Sequence, residues 1–310
     1  MKWFLPILLM LLLPCAAKAQ PPPTAADDGM QSLDEWMQDN IDPDVLKALK
    51  GLDQERVQRI FSELQLAMQG TNLYQLGSLR ETASQLAPLL QKYEATAPYG
   101  VWLQSRLDYL DAAGKFQLEM KSYIPKPGAA MLPPGPPLKL QRQVWVRELA
   151  QRPWPPLAQT YVPRLKEVFI SEKMPPELVW VAEVESSFDP RARSPAGAAG
   201  MFQLMPQTAR ARQLSLWPWD ERLQPEKSAR AAAIYLRQLH HHFGDWQLAL
   251  AAYNIGEARI DKLLKQHKAH SFDAIARWLP AETQMYVPKV EATIHKREGR
   301  ALTDLKIPKA

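Results

Sequence analysis

The chain has 310 residues, 46% hydrophobic and 23% charged, with 28 Pro, only 13 Gly and a net charge of +5. That length admits one large domain or two ordinary ones, and the apolar share excludes a disordered chain. Few Gly and almost no Val/Ile/Thr alternation exclude a β-rich fold and leave an all-α one.

Lys2, the apolar run Trp3 to Leu13 and the small-x-small pattern Ala17-Lys18-Ala19 read together as a cleaved secretory signal over residues 1–19. The run is about eleven residues, far short of the ~20 a spanning helix needs, so no transmembrane segment is expected after processing. Cys15, the only cysteine, offers lipidation as an alternative, although Pro14 before it fits such a site poorly. With Cys15 inside the signal, the mature chain has no thiol, which excludes thiol catalysis and Cys-ligated metals. Location in the periplasm is the expectation.

Residues 20–124 are expected to form a small, separate helical module. Helical spacing begins after Asp42-Pro43 with Val45, Leu46 and Leu49, then Val57, Ile60, Phe61 and Leu64. Further helices are expected over Ser78–Tyr93 and Pro98–Met120. Residues 27–125 hold 9 Lys/Arg against 15 Asp/Glu, whereas 126–310 hold 27 against 18. The acidic half carries no chemical motif; packing, or docking of a periplasmic protein partner through 27–125, is its expected role. The basic half suits an anionic polymer, and the secretion signal argues against nucleic acid. Between them PKPGAAMLPPGPP at 125–137 cannot continue a helix and reads as a linker. The catalytic domain is expected over 138–310, with a new helical series after Pro153-Trp-Pro-Pro156.

The most informative stretch is Met174-Pro-Pro-Glu-Leu-Val-Trp-Val-Ala-Glu-Val-Glu-Ser-Ser-Phe188. Two prolines suit a first helical turn, and Asp189-Pro190 ends the helix. At about 100° per residue Leu178, Val181, Ala182 and Glu185 share one face, while Glu183 points roughly the other way. A carboxyl group in an apolar stripe at a helix C-terminus is desolvated and sits at the negative dipole end, and both effects raise its pKa. Those are the conditions for a general acid at neutral pH; a buried Glu paired with an Arg is the structural alternative.

Downstream come Ser194-Pro-Ala-Gly197, Gly200-Met-Phe-Gln-Leu-Met-Pro206, Ala251-Ala-Tyr-Asn-Ile-Gly256 and Leu279-Pro-Ala-Glu-Thr-Gln-Met-Tyr-Val-Pro-Lys289. In this order and spacing, over about residues 155–297, the chain resembles the lytic transglycosylases with a soluble-lytic-transglycosylase domain, and most of all their membrane-bound murein transglycosylase D subgroup. The resemblance implies a goose-lysozyme-like helical catalytic domain acting on peptidoglycan glycan strands. Carried over residue by residue, it makes Glu185 the acid/base. It places Ser194 and Gln203 along the cleft, Tyr253 and Asn254 as supports of the Glu and the glycan, and Glu282 and Tyr286 on the far wall. The chain reads Gly-Met-Phe-Gln where the family often has Gly-Leu-Met-Gln, which alters pocket shape rather than chemistry. Ser194 and Gly197 also suit a plain turn, and Tyr253 suits half-buried packing.

Ordinary glycosidases use two carboxyl groups, whereas the catalytic helix offers one on its cleft face. The resemblance implies that Glu185 protonates the MurNAc–GlcNAc oxygen and then takes the C6 hydroxyl proton as an anhydro ring closes, with no metal or cofactor. Glu282 as a second carboxylate would allow lysozyme-like hydrolysis instead, and a non-catalytic wall-binding scaffold is the third reading. Of the aromatic residues, Trp217 and Trp219 in a Pro-containing loop are the better candidates for sugar stacking; Tyr235, Trp246 and Trp278 read as core. His240, His241 and His242 point about 100° apart along a helix and so cannot converge on one metal; they read as a polar helix end capped by Gly244.

Overall fold

The computed structural model describes residues 54–307 apart from Tyr93, Ala95 and 122–134. The expected signal at 1–19 with Cys15, the apolar positions Val45, Leu46 and Leu49, and the linker up to residue 134 lie outside the described residues.

Among the described residues helices form over the expected stretches at Val57 to Leu64, Ser78–Tyr93 and Pro98–Met120. The first described helices are α1 (Gln54–Gln69), α2 (Tyr74–Gly77), α3 (Arg80–Gln91) and α4 (Ala97–Lys121). In α3 the buried positions Ala83, Leu86, Ala87 and Leu90 follow the 3–4 spacing that makes one apolar stripe. That stripe meets α4 closely: a Cβ on Gly100 would lie 2.7 Å from Gln91 Cγ and 2.9 Å from the Ala87 carbonyl, so only glycine permits the approach.

After the proline-rich segment come α5 (Leu138–Ala150) and α6 (Ala158–Ser171). A 3₁₀ turn, Pro176–Trp180, then leads into the short α7 (Val181–Ser186). They are followed by α8 (Pro206–Ala211), α9 (Pro225–Phe243), α10 (Trp246–Ile255), α11 (Glu257–His267), α12 (Phe272–Ile275) and α13 (Ala281–Glu298). Gly244 ends α9 at φ +67°, as its expected capping role requires, and Asp245 starts α10 by accepting from Leu248 N at 2.8 Å. The described residues contain no strand, only isolated bridges joining Arg193, Ala199 and Leu204. The fold class is all-α.

Helices on either side of the proline-rich segment contribute to a shared apolar interior. Buried side chains from Leu64, Leu110 and Phe116 through Trp145 and Trp180 to Leu302 belong to one hydrophobic cluster. Polar ties reinforce it. Ala281 N donates to Gly70 O at 2.6 Å, Gln284 Nε2 to Thr71 O at 3.0 Å, and Arg193 N to Pro98 O at 3.2 Å. Below the cluster Asp108 of α4 pairs with Lys289 of α13 at 3.1 Å and with Arg152 after α5. Each large apolar side chain taken out of water contributes about 1.5–3 kcal/mol, so the acidic segment is held on the later helices by far more than a flexible tether provides. No helix among the described residues is long and apolar enough to cross a membrane.

Candidate active site

The local sequence explains where Glu185 sits. Pro175 and Pro176 start a 3₁₀ turn, every residue of α7 is buried, and the chain leaves α7 through two left-handed residues, Ser187 (φ +54°) and Phe188 (φ +65°). Two consecutive non-glycine residues in that region store strain of a kind that gathers at functional sites. Ser187 N bonds to Glu183 O and Phe188 N to Ala182 O, closing the helix end, while Phe188 packs edge-on to Trp180. Glu185 therefore lies one residue before the end of a rigid, fully buried helix.

The two glutamates of α7 go to different fates. Glu183 points away from Glu185 as expected, but not to solvent: it is buried and takes a two-pronged pair from Arg297, at 2.7 and 2.9 Å. Arg297 also donates to the Arg152 and Pro153 carbonyls, so this pair pins α7, α13 and the loop after α5. Glu185 faces a cavity of 190 Å³. Burial raises its pKa above the ordinary carboxylate value; the Arg106 guanidinium and the Tyr286 hydroxyl oppose that rise, and the neighbouring Glu282 adds to it. The result is a carboxyl biased towards its protonated form and facing an open cleft.

Ser194, Gln203, Tyr253, Asn254 and Glu282 all line the same cavity, so the structure brings together five of the six residues expected around Glu185. Ser194 performs turn chemistry as well: its Oγ accepts from Ala198 N and its carbonyl from Gly197 N. Gln203 sits at φ +46°, with Nε2 donating to Gly200 O at 2.8 Å and Ala192 O at 3.1 Å. Its buried Oε1 has no partner within the protein and is an acceptor available to a bound hydroxyl or amide N–H. Tyr253 donates to Phe202 O at 2.7 Å and so fixes the loop that carries Gln203. Asn254 Oδ1 accepts from Thr283 Oγ1 at 2.6 Å, which ties α10 to the first turn of α13.

Three placements differ from expectation. Tyr286 does not line the cavity; it is fully buried behind Glu185, where burial raises its own pKa. Glu282 does not oppose Glu185 from a far wall, because both reach one guanidinium, that of Arg106, at 3.1 and 3.4 Å. Trp217 and Trp219 are 84% and 78% exposed and contribute nothing to the cavity, while Tyr235, expected in the core, does line it. The histidines behave as a helix end: His240 stacks on Trp246, and His242 pairs with Asp261 at 3.0 Å and faces Glu257 at 3.6 Å.

Sequence reading missed the contribution of the acidic segment. Gln65, Met68 and Gln69 of α1 and Trp102 and Arg106 of α4 form one side of the cavity. A signal for Arg106 was present: it lies between Leu103 and Leu110 on a helical face with Tyr109 and Ala113, a charge in an apolar stripe like Glu185 itself.

The Transglycosylase SLT domain family matches residues 169–276. The chain is 45% identical over 123 residues to "Membrane-bound lytic murein transglycosylase D" of Escherichia coli K12, covering 38% of this chain and 27% of that protein. It is 33% identical over 121 residues to "Soluble lytic murein transglycosylase" of the same organism, covering 36% and 19%. A third relative, "Putative tributyltin chloride resistance protein" of an Alteromonas species, is 34% identical over 116 residues, covering 37% and 56%. The chain thus spans from about a fifth to about a half of these relatives' length. Among solved structures it is similar to an inactive variant of lytic transglycosylase Slt from Pseudomonas aeruginosa, with 19% identity, 84% of this chain and 45% of that chain covered, and a TM-score of 0.38. The 169–276 match includes Glu185, Ser194, Gln203, Tyr253 and Asn254 and stops before Glu282. Within residues 169–276 the chain is similar to a transglycosylase SLT domain.

Proposed function

We propose that this chain is a peptidoglycan lytic transglycosylase, cleaving the β-1,4 bond between MurNAc and GlcNAc and leaving 1,6-anhydro-MurNAc ends. The observation that carries the reading is Glu185: a buried carboxyl with a raised pKa, opening onto a cavity lined by the polar side chains of Ser194, Gln203, Tyr253 and Asn254. In this reaction the proton of Glu185 goes to the glycosidic oxygen as the C1–O bond breaks. The substrate's N-acetyl group stabilises the cationic carbon. Glu185, now a base, takes the C6 hydroxyl proton as O6 closes on C1, so the enzyme ends as it began and no water is consumed. Gln203 Oε1 and Asn254 are placed to orient the sugars, and Tyr253 keeps the Gln203 loop in register.

Acting on peptidoglycan places the chain in the periplasm or against the wall, consistent with the leader-like pattern at residues 1–19. A protein partner for the acidic segment stays a separate proposal, with α1 and α4 already engaged at the cleft. The test is mass spectrometry of fragments released from purified sacculi by the wild type and by Glu185→Gln. Anhydro-MurNAc ends from the wild type alone are expected. Reducing-end MurNAc would replace the reading with hydrolysis, and binding without release would replace it with a scaffold.

A further inference from the structure

Arg106 lies far outside the matched SLT segment, yet it is buried at the base of the cleft. Its Nη1 donates to the Glu185 carbonyl at 3.0 Å, its Nη2 lies 3.4 Å from Glu185 Oε2, and its Nε lies 3.1 Å from Glu282 Oε1. The guanidinium is itself held between the rings of Trp102 and Tyr109, at 5.4 and 5.9 Å. Glu282 is the only other carboxylate lining the cavity among the described residues.

We propose that Arg106 is a positioning residue that gathers Glu185 and Glu282 onto one cation, leaving Glu185 to exchange protons with the glycan and withholding Glu282 from activating water. The inference rests on the peptidoglycan reading above. A two-carboxylate glycosidase needs its second carboxyl across the scissile bond, with room for a sugar carbon or a water between them. Here both carboxyl groups converge on the same guanidinium, so Glu282 is engaged by a cation rather than left to hold a water. Glu282 meets the guanidinium as an ion pair at 3.1 Å from Nε, while Nη2 and Nη1 donate to the carboxylate and the carbonyl of Glu185.

The groups facing Glu185 come from three elements: Arg106 on α4, Glu282 and Tyr286 on α13, and Tyr253 on α10. Of these only Arg106 carries positive charge. Without it, Glu282 is free to take a proton from a water whose oxygen bonds to C1, with Glu185 supplying the leaving-group proton. Glu282 then returns its proton to solvent and Glu185 regains one. The product is a reducing-end MurNAc in place of the anhydro sugar.

The experiment compares full-length wild type, Arg106→Gln, Glu282→Gln and the double variant by two readouts: the ends of fragments released from sacculi, and the titration of the Glu185 carboxyl followed by carbon NMR, assigned with Glu185→Gln. In Arg106→Gln, reducing ends are expected where the wild type has none, and Glu185 should titrate at a pH about one to three higher, the span an adjacent opposite charge controls. The double variant should return to anhydro ends only. Should Arg106→Gln not fold, Glu282→Gln decides: losing the Glu282 charge and leaving Arg106 to Glu185 alone must together lower the pH at which Glu185 titrates. Wild-type ends and an unmoved Glu185 titration in a folded Arg106→Gln, or no downward move in Glu282→Gln, overturn the proposal. A wild type that releases nothing overturns the peptidoglycan reading instead, while the titration still decides whether Arg106 governs Glu185.

Discussion

Asp108→Asn should destabilise the whole chain, although Asp108 precedes the proline-rich segment and its partners follow it. Asp108 Oδ2 lies 3.1 Å from Lys289 Nζ, and its two oxygens accept from Arg152 at 2.5 and 2.9 Å. Burial would raise the Asp108 pKa, but Lys289 and Arg152 outweigh it and hold the group at about 2, against an ordinary 3.8. A difference of that size corresponds to about 2 kcal/mol of folding free energy, at about 1.4 kcal/mol per pH unit. Since the folded pKa is the lower one, that contribution is present above the unfolded value and is lost as pH falls from about 4 to about 2. The asparagine removes it and also leaves Lys289, only 3% exposed, without its carboxylate. Removing one member of a buried pair typically costs about 3–5 kcal/mol. Lys289 keeps its contacts with the Ser105 carbonyl and the Tyr109 ring, which points to the lower end, about 3 kcal/mol at pH 7. Urea unfolding of both proteins between pH 7 and pH 2 measures the gap, which should narrow by about 2 kcal/mol across the acid range. A gap that is constant with pH, or a loss below about 1 kcal/mol at pH 7, would refute the reasoning. So would two separate unfolding transitions of which only the first moved.

The glutamates of α7 should respond in opposite senses. Glu185 has a raised folded pKa, so its ionisation subtracts stability as pH rises through that value; Glu185→Gln should match or exceed the wild type in Tm at pH 7, with the excess vanishing near pH 4. Glu183→Gln, which strands Arg297 at 2% exposure, should lose about 3 kcal/mol by urea unfolding while the folded fraction still releases fragments. A stabilised Glu183→Gln or a strongly destabilised Glu185→Gln would reverse these assignments. Gly200→Ala should be worse than either, because Gly200 sits at φ +80° and a Cβ there would lie 1.9 Å from the Arg222 carbonyl oxygen. Arg222 also donates to Gly197 O and Leu204 O, so moving it disturbs both cleft loops; a loss above about 4 kcal/mol is expected, and less than about 1 would contradict the packing.

The all-helical class, the places of the described helices and most of the residues that line the cleft were legible in the sequence. Those features are local: a 3.6-residue stripe, prolines at a helix start and glycine at its end. Four short motifs likewise carry their own turns wherever they are placed. Glu185 was legible because its position in the stripe of Leu178, Val181 and Ala182 already implied burial. Only the tertiary structure decided what surrounds it. Arg106 stood out only as a charge in an apolar stripe; no spacing rule connects residue 106 with 185 and 282, so its place beside both carboxyl groups follows from α4 packing near α7 and α13. The same holds for Glu183, whose partner Arg297 is 114 positions away. The exposure of Trp217 and Trp219 was equally a matter of how their loop is carried, since a Trp in a Pro-containing loop reads the same whether the loop folds into a cleft or away from it. Nor was the proline-rich stretch decisive: prolines end a helix, but whether the flanking segments share a core depends on complementary apolar faces far apart in the chain, and here they do.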